Sequence, residues 1–256
     1  MSDFNEKVAV ITGGTSGIGL STAIMLTQGG ATVAVVGRSE NKGARALAQL
    51  KPIKENCIFI AADVAKTSVC RQVVQETVSR LGHMDILVNS AGVFMNGPIE
   101  AVSEEDYHNV MDINVKGTFF MCQSAIPEIR KAGGGAIVNV SSDSGVMGNT
   151  ECSLYCTSKG AVTIFTKALA VDVAKDNIRV NCVCPGDILT PMLDKEAAGS
   201  DDPQRYIEEM QRHYPVGRVG TPKEVAATIC FLASESAPFV VGAAWSIDGG
   251  LTAFSY

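Results

Sequence analysis

The sequence predicts one α/β domain, a doubly wound parallel sheet of seven strands with helices on both faces. Three observations carry this. Short runs rich in Val and Ile recur from one end of the chain to the other. Helical patterns fill the intervals between them. Several runs are apolar throughout instead of alternating, which is how strands covered on both faces read. The 256 residues suffice for one large core. No low-complexity tract or linker divides them, so residues 1–256 are expected to form a single domain.

The elements follow in order. KVAVIT (7–12) is the first strand and leads straight into TGGTSGIG (12–19). A strand that meets a glycine loop and then opens a helix is the setting in which backbone N–H groups approach a pyrophosphate. GIGLSTAIMLTQGG reads as a helix closing on glycines. ATVAVV (31–36) and CIFIAA (57–62) are the second and third strands. KTSVCRQVVQETVSRLG then sets Val69, Val73, Val74, Val78 and Leu81 at helical spacing. DILVN (85–89), AIVNVS (136–141), IRVNCV (178–183) and AAWSID (243–248) complete the sheet. One irregular stretch, about 187–220, inserts polar sequence with Pro and Gly between the sixth and seventh strands. It leaves the carboxyl edge of a strand, where such sheets bind ligands, and is expected to be a lid over the site.

Bulk properties exclude several functions. A net charge of −6 gives no electrostatic reason to expect nucleic acid or an anionic membrane. No apolar run approaches a membrane span, and the N-terminus lacks a signal-peptide pattern, so a cytoplasmic protein is expected. The 8 cysteines form no CxxC and lie near no histidine in sequence. Reduced, mostly buried thiols are expected, with no metal site.

SLYCTSKG (153–160) sets Tyr155 and Lys159 one helical turn apart, so their side chains share a face. A nearby ammonium stabilises phenolate and lowers a tyrosine pKa from about 10. Tyr155 would then serve as a general acid or base nearer neutral pH. Shuffling this composition gives roughly 0.2 such pairs per chain, so the pair takes its meaning from its surroundings.

Those surroundings resemble the short-chain dehydrogenase/reductase family, of the classical type, over essentially the whole chain. The glycine loop is TGxxxGxG, with Gly13, Gly17 and Gly19. NSAG (89–92) resembles the family's NNAG, with Ser90 in place of the second Asn. INV carries Asn114, VSS carries Ser142 at the usual interval before Tyr155, and CPGDILT (184–190) and DGG (248–250) match two further motifs. The resemblance implies a Rossmann-like fold and a catalytic set of Asn114, Ser142, Tyr155 and Lys159. Ser142 would hydrogen-bond the substrate oxygen. Lys159 would also contact the nicotinamide ribose, and Asn114 would hold a water that relays protons from Lys159 to solvent. Cofactor contacts would come from Gly13, Thr15, Ser16, Gly17, Ile18 and Gly19, from Arg38, Asp63 and Val64, and from Asn89, Ala91 and Gly92. Tyr155, Lys159, Pro185, Gly186, Ile188 and Thr190 would complete them. The implied reaction interconverts a secondary alcohol and a ketone with NAD(P).

The end of the second strand bears on which cofactor. In VVGRSENKG, Gly37 fills the slot where NAD-preferring relatives carry an acid, and Arg38 follows. A 2′-phosphate would meet no repulsion there and a guanidinium could pair with it, so NADP(H) is favoured over NAD(H). The glycine loop lacks an extra basic residue; Thr15 and Ser16 stand there instead. Substrate contacts are expected from Phe94, Ser144, Asn149, Glu151 and Met192, a mixture suited to a polyol, sugar, hydroxysteroid or small ketone. A 3-oxoacyl-carrier-protein reductase is the alternative, with Arg130 and Lys131 as its docking patch, although Val171 and Asp172 replace the usual Arg-Glu. A non-catalytic dinucleotide-binding sensor or scaffold is a further reading, against which the intact catalytic set speaks. Relatives pair long helices near 103–131 and 153–175, which implies a homodimer or homotetramer. Ala161, Phe165, Ala168 and Leu169 form an apolar stripe on the second of these.

Overall fold

The computed structural model describes residues 3–253. Its centre is a parallel sheet of seven strands in the order β3-β2-β1-β4-β5-β6-β7. The strands are β1 (Val8–Thr12), β2 (Thr32–Gly37), β3 (Ile58–Ala61), β4 (Ile86–Asn89), β5 (Gly135–Val140), β6 (Ile178–Pro185) and β7 (Ala244–Ile247). Each lies within or against the run expected from the sequence. The strand order reverses between β1 and β4, which opens a crevice at their carboxyl ends.

Alternation along the strands divides the core between the two faces. Ala9 and Ile11 of β1 pack with Val33 and Val35 of β2, under α1 (Gly17–Gln28), α2 (Glu40–Leu50) and α9 (Pro222–Ala233). Val10, Ala34 and Val36 point the other way, under α3 (Thr67–Leu81), α5 (Thr118–Lys131) and α6 (Ser153–Val173). Both faces are therefore covered, as unalternating apolar strands require. Arg179 on β6 ties the sheet to the end of α9: its guanidinium donates to the carbonyls of Leu232, Ala233 and Ser234 at 2.6, 3.2 and 2.9 Å. These are the orphan acceptors of a helix C-terminus.

The long helix expected near 103–131 is not one regular helix. α4 (Glu104–Met111) opens on a capping box at Ser103 and Asp106, then widens into a π-helical turn over Asp112–Gly117 before α5 continues. Such bulges recur at functional sites. Gly117 lets the turn close on the end of β3, since a Cβ there would lie 3.1 Å from a Val64 methyl. Between β6 and α9 the chain forms two short helices, α7 (Pro191–Ala197) and α8 (Pro203–Gln211), each opened by a proline. Leu193, Tyr214 and Val219 form a small core of their own beneath them, joined by Tyr206 and Met210. Among the described residues no helix is long and apolar enough to cross a membrane.

Candidate active site

The glycine loop positions the first wall of the site. Gly13 has φ +65°, and a Cβ there would lie 2.8 Å from the Ala91 nitrogen. Only a residue without a side chain lets β1 turn this close to the loop that follows β4. Ser16 caps α1 with no side-chain hydrogen bond, whereas Ser39, Ser103, Asp202 and Thr221 close the first turns of α2, α4, α8 and α9. The N-terminus of α1 thus keeps its donors and its positive dipole end for an outside acceptor.

From this loop a trench runs along the carboxyl ends of the strands. One part, about 920 Å³, is lined by Thr15, Ser16, Gly37, Arg38, Ser39, Lys42, Asp63, Val64 and Gly92. The other, about 710 Å³, is lined by Gly13, Gly17, Ile18, Ala91, Pro185, Gly186, Ile188 and Thr190, and ends against Ser142, Tyr155 and Lys159. An extended dinucleotide fits this shape: a glycine cradle at its middle, Arg38 and Lys42 at one end and the tyrosine at the other. Lys42 and Lys195 also line this part and were not foreseen from the sequence; Lys42 is the one beside Arg38. It lies four residues beyond Arg38, at the start of α2, and became visible only through the fold.

Two expected cofactor residues do not line the trench. Asn89 is 2% exposed and turns across the sheet, where its Nδ2 donates to Asn139 Oδ1 at 2.9 Å and meets the Cys122 sulfur at 3.3 Å. It clamps β4 to β5 because side chains alternate along a strand, and this one falls on the inner side. Gly19 serves packing: a Cβ there would lie 2.4 Å from the Gly13 carbonyl. The substrate residues divide likewise. Phe94, Ser144, Asn149 and Met192 line the cleft. Glu151 does not; it sits at φ +56° with its side chain in solvent, and its carbonyl accepts the Gly97 N–H at 2.7 Å.

At the far end of the trench, α6 delivers Tyr155 and Lys159 from its first turns, both buried. Ser141 pins the helix to β5, donating to the Lys159 carbonyl at 3.0 Å. The Lys159 ammonium donates to the Val140 carbonyl at 2.9 Å and lies 5.7 Å from the Tyr155 ring centre. Phe94 meets that ring edge-on at 4.9 Å. Burial lowers the Lys159 pKa from 10.5 to about 8. The tyrosine departs from expectation. Burial raises its pKa above the ordinary value; the Ser142 hydroxyl pulls it back, and Asp143 and Asp187 push it up further. Burial thus acts against the charged form of both groups, phenolate and ammonium alike.

Asn114 sits in the π turn behind the cleft, fully buried. Its Oδ1 accepts the Val93 N–H at 2.9 Å, and its Nδ2 donates to the Val93 carbonyl at 2.9 Å and to Ser158 Oγ at 3.1 Å. The side chain is thus committed, and a proton relay would have to use its backbone carbonyl, which already accepts from Thr118 Oγ1 at 2.8 Å. Gly92 separates Asn114 from Lys159: a Cβ there would lie 3.3 Å from Asn114 Oδ1 and 3.5 Å from the Lys159 nitrogen.

Further groups in the cleft were not foreseen from sequence. Asp143 accepts the Ser142 hydroxyl at 2.6 Å. Asp187 accepts from the Tyr214 hydroxyl at 2.7 Å while its own N–H donates to that oxygen at 2.6 Å. Burial raises the pKa of Asp187, opposed by the Tyr214 hydrogen bond. Glu196 also faces the cleft and accepts the Tyr206 hydroxyl. Lys159 is the only lysine or arginine lining this part of the trench, against Asp143, Asp187, Glu196 and Glu209. The cysteines are all free and, apart from Cys156, buried. No group of three or more metal-ligating side chains occurs among the described residues.

Comparison with known proteins agrees with this geometry. Residues 13–252 match a family profile described as enoyl-(acyl carrier protein) reductase. An uncharacterised oxidoreductase of Thermotoga maritima is 41% identical over 98% of this chain and 99% of its own. The L-fucose dehydrogenase of Mus musculus is 39% identical over 96% of this chain and 89% of its own. Among solved structures, L-sorbose reductase from Gluconobacter frateurii, in complex with NADPH and L-sorbose, superposes with a TM-score of 0.93 at 35% identity, covering 99% of both chains. With its sheet order, its glycine cradle and its tyrosine and lysine on one helix, the chain belongs to the short-chain dehydrogenase/reductase family of NAD(P)-dependent oxidoreductases acting on CH–OH groups.

Proposed function

We propose that this protein interconverts a secondary alcohol and a ketone on a small polyhydroxylated substrate, a sugar or polyol, with NADP(H) as the favoured cofactor. One observation carries the reading: Ser142, Tyr155 and Lys159 meet in one cleft at the end of a trench that begins at the glycine loop. When bound, a nicotinamide dinucleotide supplies or takes up the hydride. Tyr155 gives its phenolic proton to the ketone oxygen, or as phenolate takes the proton of the alcohol. Ser142 hydrogen-bonds the same oxygen. Lys159 would hold the ribose, and any proton exchange through Asn114 would use its backbone carbonyl. The donors of the glycine loop would hold the pyrophosphate, Asp63 and Val64 the adenine, and Pro185 to Thr190 the nicotinamide.

The cofactor preference rests on Gly37, Arg38 and Lys42, which together offer two cations and no carboxylate where a 2′-phosphate would sit. The substrate class rests on the cleft. Its many acceptors and hydroxyls suit neutral hydroxyl groups, and its four carboxylates repel an anion. The names of the fucose and sorbose relatives support the same class. The family profile's description favours a carrier-protein thioester instead. Against that, the basic patch such a partner would need is already paired: Arg130 with Asp176, and Lys131 with Glu128 at 2.7 Å. We further propose self-association through α4, α5 and α6. Phe119, Ile164 and Val171 are exposed there, Val171 at 78%. The test is absorbance at 340 nm with NADPH or NADH and a panel of ketoses, simple ketones and acyl thioesters. Turnover of ketoses with NADPH supports the proposal; turnover of thioesters alone would replace it, and none with any substrate would leave a binding protein.

A further inference from the structure

α7 forms one wall of the trench. Pro191, Met192, Lys195 and Glu196 share one face of this helix, and all four line the part that holds Arg38 and Asp63. Leu193 and Ala197 are buried beneath it. Pro191, Met192 and Glu196 also line the cleft around Tyr155, whereas Lys195 does not. The lysine therefore faces the cofactor part alone. The helix starts over the glycine loop: a Cβ on Gly17 would lie 3.3 Å from the Thr190 methyl and 3.9 Å from Pro191 Cδ. Lys195 comes one turn after Pro191 on the same face.

The charges along the trench are unevenly placed. The glycine loop offers a pyrophosphate N–H donors and the positive end of a helix, but no cation, since Thr15 and Ser16 carry none. Arg38 and Lys42 stand together where β2 passes into α2, set for a phosphate on the adenosine ribose. Lys195 is the cation that comes from the facing wall. It is exposed and forms no ion pair among the described residues, whereas Arg205 on the neighbouring α8 is tied to Glu209 at 2.8 Å. Its neighbour Glu196 is engaged by the Tyr206 hydroxyl, and burial raises the pKa of that carboxyl, which weakens its opposition to an anion. We propose that Lys195 is a further cofactor-binding residue, whose ammonium pairs with the pyrophosphate of the dinucleotide and draws α7 down over the glycine loop. NAD and NADP carry the same pyrophosphate, so the pairing strengthens both alike, unlike the contacts of Arg38. The inference rests on the trench being the dinucleotide site, and it gives the lid a part in holding cofactor before any substrate enters.

The test titrates NADPH and NADH separately into the intact protein, without substrate, for the wild type, Lys195→Gln and Lys195→Arg. The side chain is exposed, so both variants should fold. In Lys195→Gln, Kd should rise about fivefold for both dinucleotides, the scale of one solvent-exposed ion pair. Lys195→Arg keeps the charge and should stay within about twofold of the wild type. Raising the salt concentration should narrow the gap between wild type and Lys195→Gln, because an exposed pairing is screened. A second readout is amide exchange in α7. NADH alone should slow it in the wild type and slow it less in Lys195→Gln at matched saturation. A loss confined to NADPH would put the ammonium on the 2′-phosphate and overturn the assignment. Unchanged Kd for both dinucleotides would leave Lys195 in solvent and overturn it as well. If the wild type binds neither dinucleotide, the wild-type titration alone shows that the functional reading has failed, and the inference falls with it.

Discussion

Lys159→Met offers a test in which the catalytic requirement and the demands of folding pull in opposite directions. The ammonium is buried, with one backbone carbonyl as its hydrogen-bond acceptor, and its pKa falls from 10.5 to about 8. The unfolded chain therefore binds a proton that the folded chain has given up anywhere between those values. Stability rises with pH wherever the unfolded state holds more protons. The contribution of this group is complete above pH 10.5 and is lost as pH falls through 8. Integrating the two titrations gives a gain of ~2 kcal/mol for the wild type between pH 7 and pH 9.5. Methionine fills similar volume and does not titrate, so the variant lacks this gain. Urea unfolding of both proteins at pH 7.0, 8.0, 9.0 and 9.5, without cofactor, should show the wild type closing on the variant by that amount. At pH 7 the variant should be the more stable protein, while its rate and cofactor affinity both collapse. Parallel stability profiles would mean that Lys159 is solvated in solution, and the burial argument would fall.

The remaining expectations concern separate parts of the molecule. Arg38→Ala should weaken NADPH by about 1.5–3 kcal/mol, the range for hydrogen bonds to charged groups, and leave NADH nearly unchanged; equal losses in a binding titration would indicate stacking on adenine instead. Arg179→Leu should lower unfolding stability by about 2–4 kcal/mol, because three carbonyls at the end of α9 lose their buried donor, and a loss under about 0.5 kcal/mol would show that water replaces it. The segment 190–215 bears a small core of its own and α8 buries none of its residues, so its amides should exchange fast in the free protein and slow when cofactor and substrate are bound. Equal protection in both states would make it a fixed wall.

The sheet was legible because unalternating runs of Val and Ile have few other uses, and because each lay between helical patterns. The candidate catalytic set was legible through the motifs of the family it resembles, with Tyr155 and Lys159 one helical turn apart. What sequence could not reveal was direction. Asn89 and Ala91 belong to one motif, yet the first turns into the sheet and the second lines the trench. Glu151 looked like a pocket residue but a left-handed backbone points it to solvent. Nothing in the sequence marked Glu196 as a residue of the cleft, yet it lines it. The π turn at Asn114 was not legible, since regular helix continues on both sides of it. Asp143 was visible as a letter beside Ser142, but its grip on the hydroxyl depends on a turn of three residues. The expected lowering of the Tyr155 pKa was not met for a related reason: spacing places the ammonium nearby, but burial of the phenol outweighs it.

The account stands most directly on Tyr155 as the proton donor and acceptor. The measurement is single-turnover reduction of a ketose at 340 nm by NADPH-loaded enzyme, wild type against Tyr155→Phe, with NADPH affinity determined alongside. The substitution removes one hydroxyl from a ring that stays packed against Phe94. Binding of NADPH should hold within about twofold while the reduction step slows by about 10² or more. A Tyr155→Phe enzyme that reduces the ketose at near the wild-type rate would contradict the assignment.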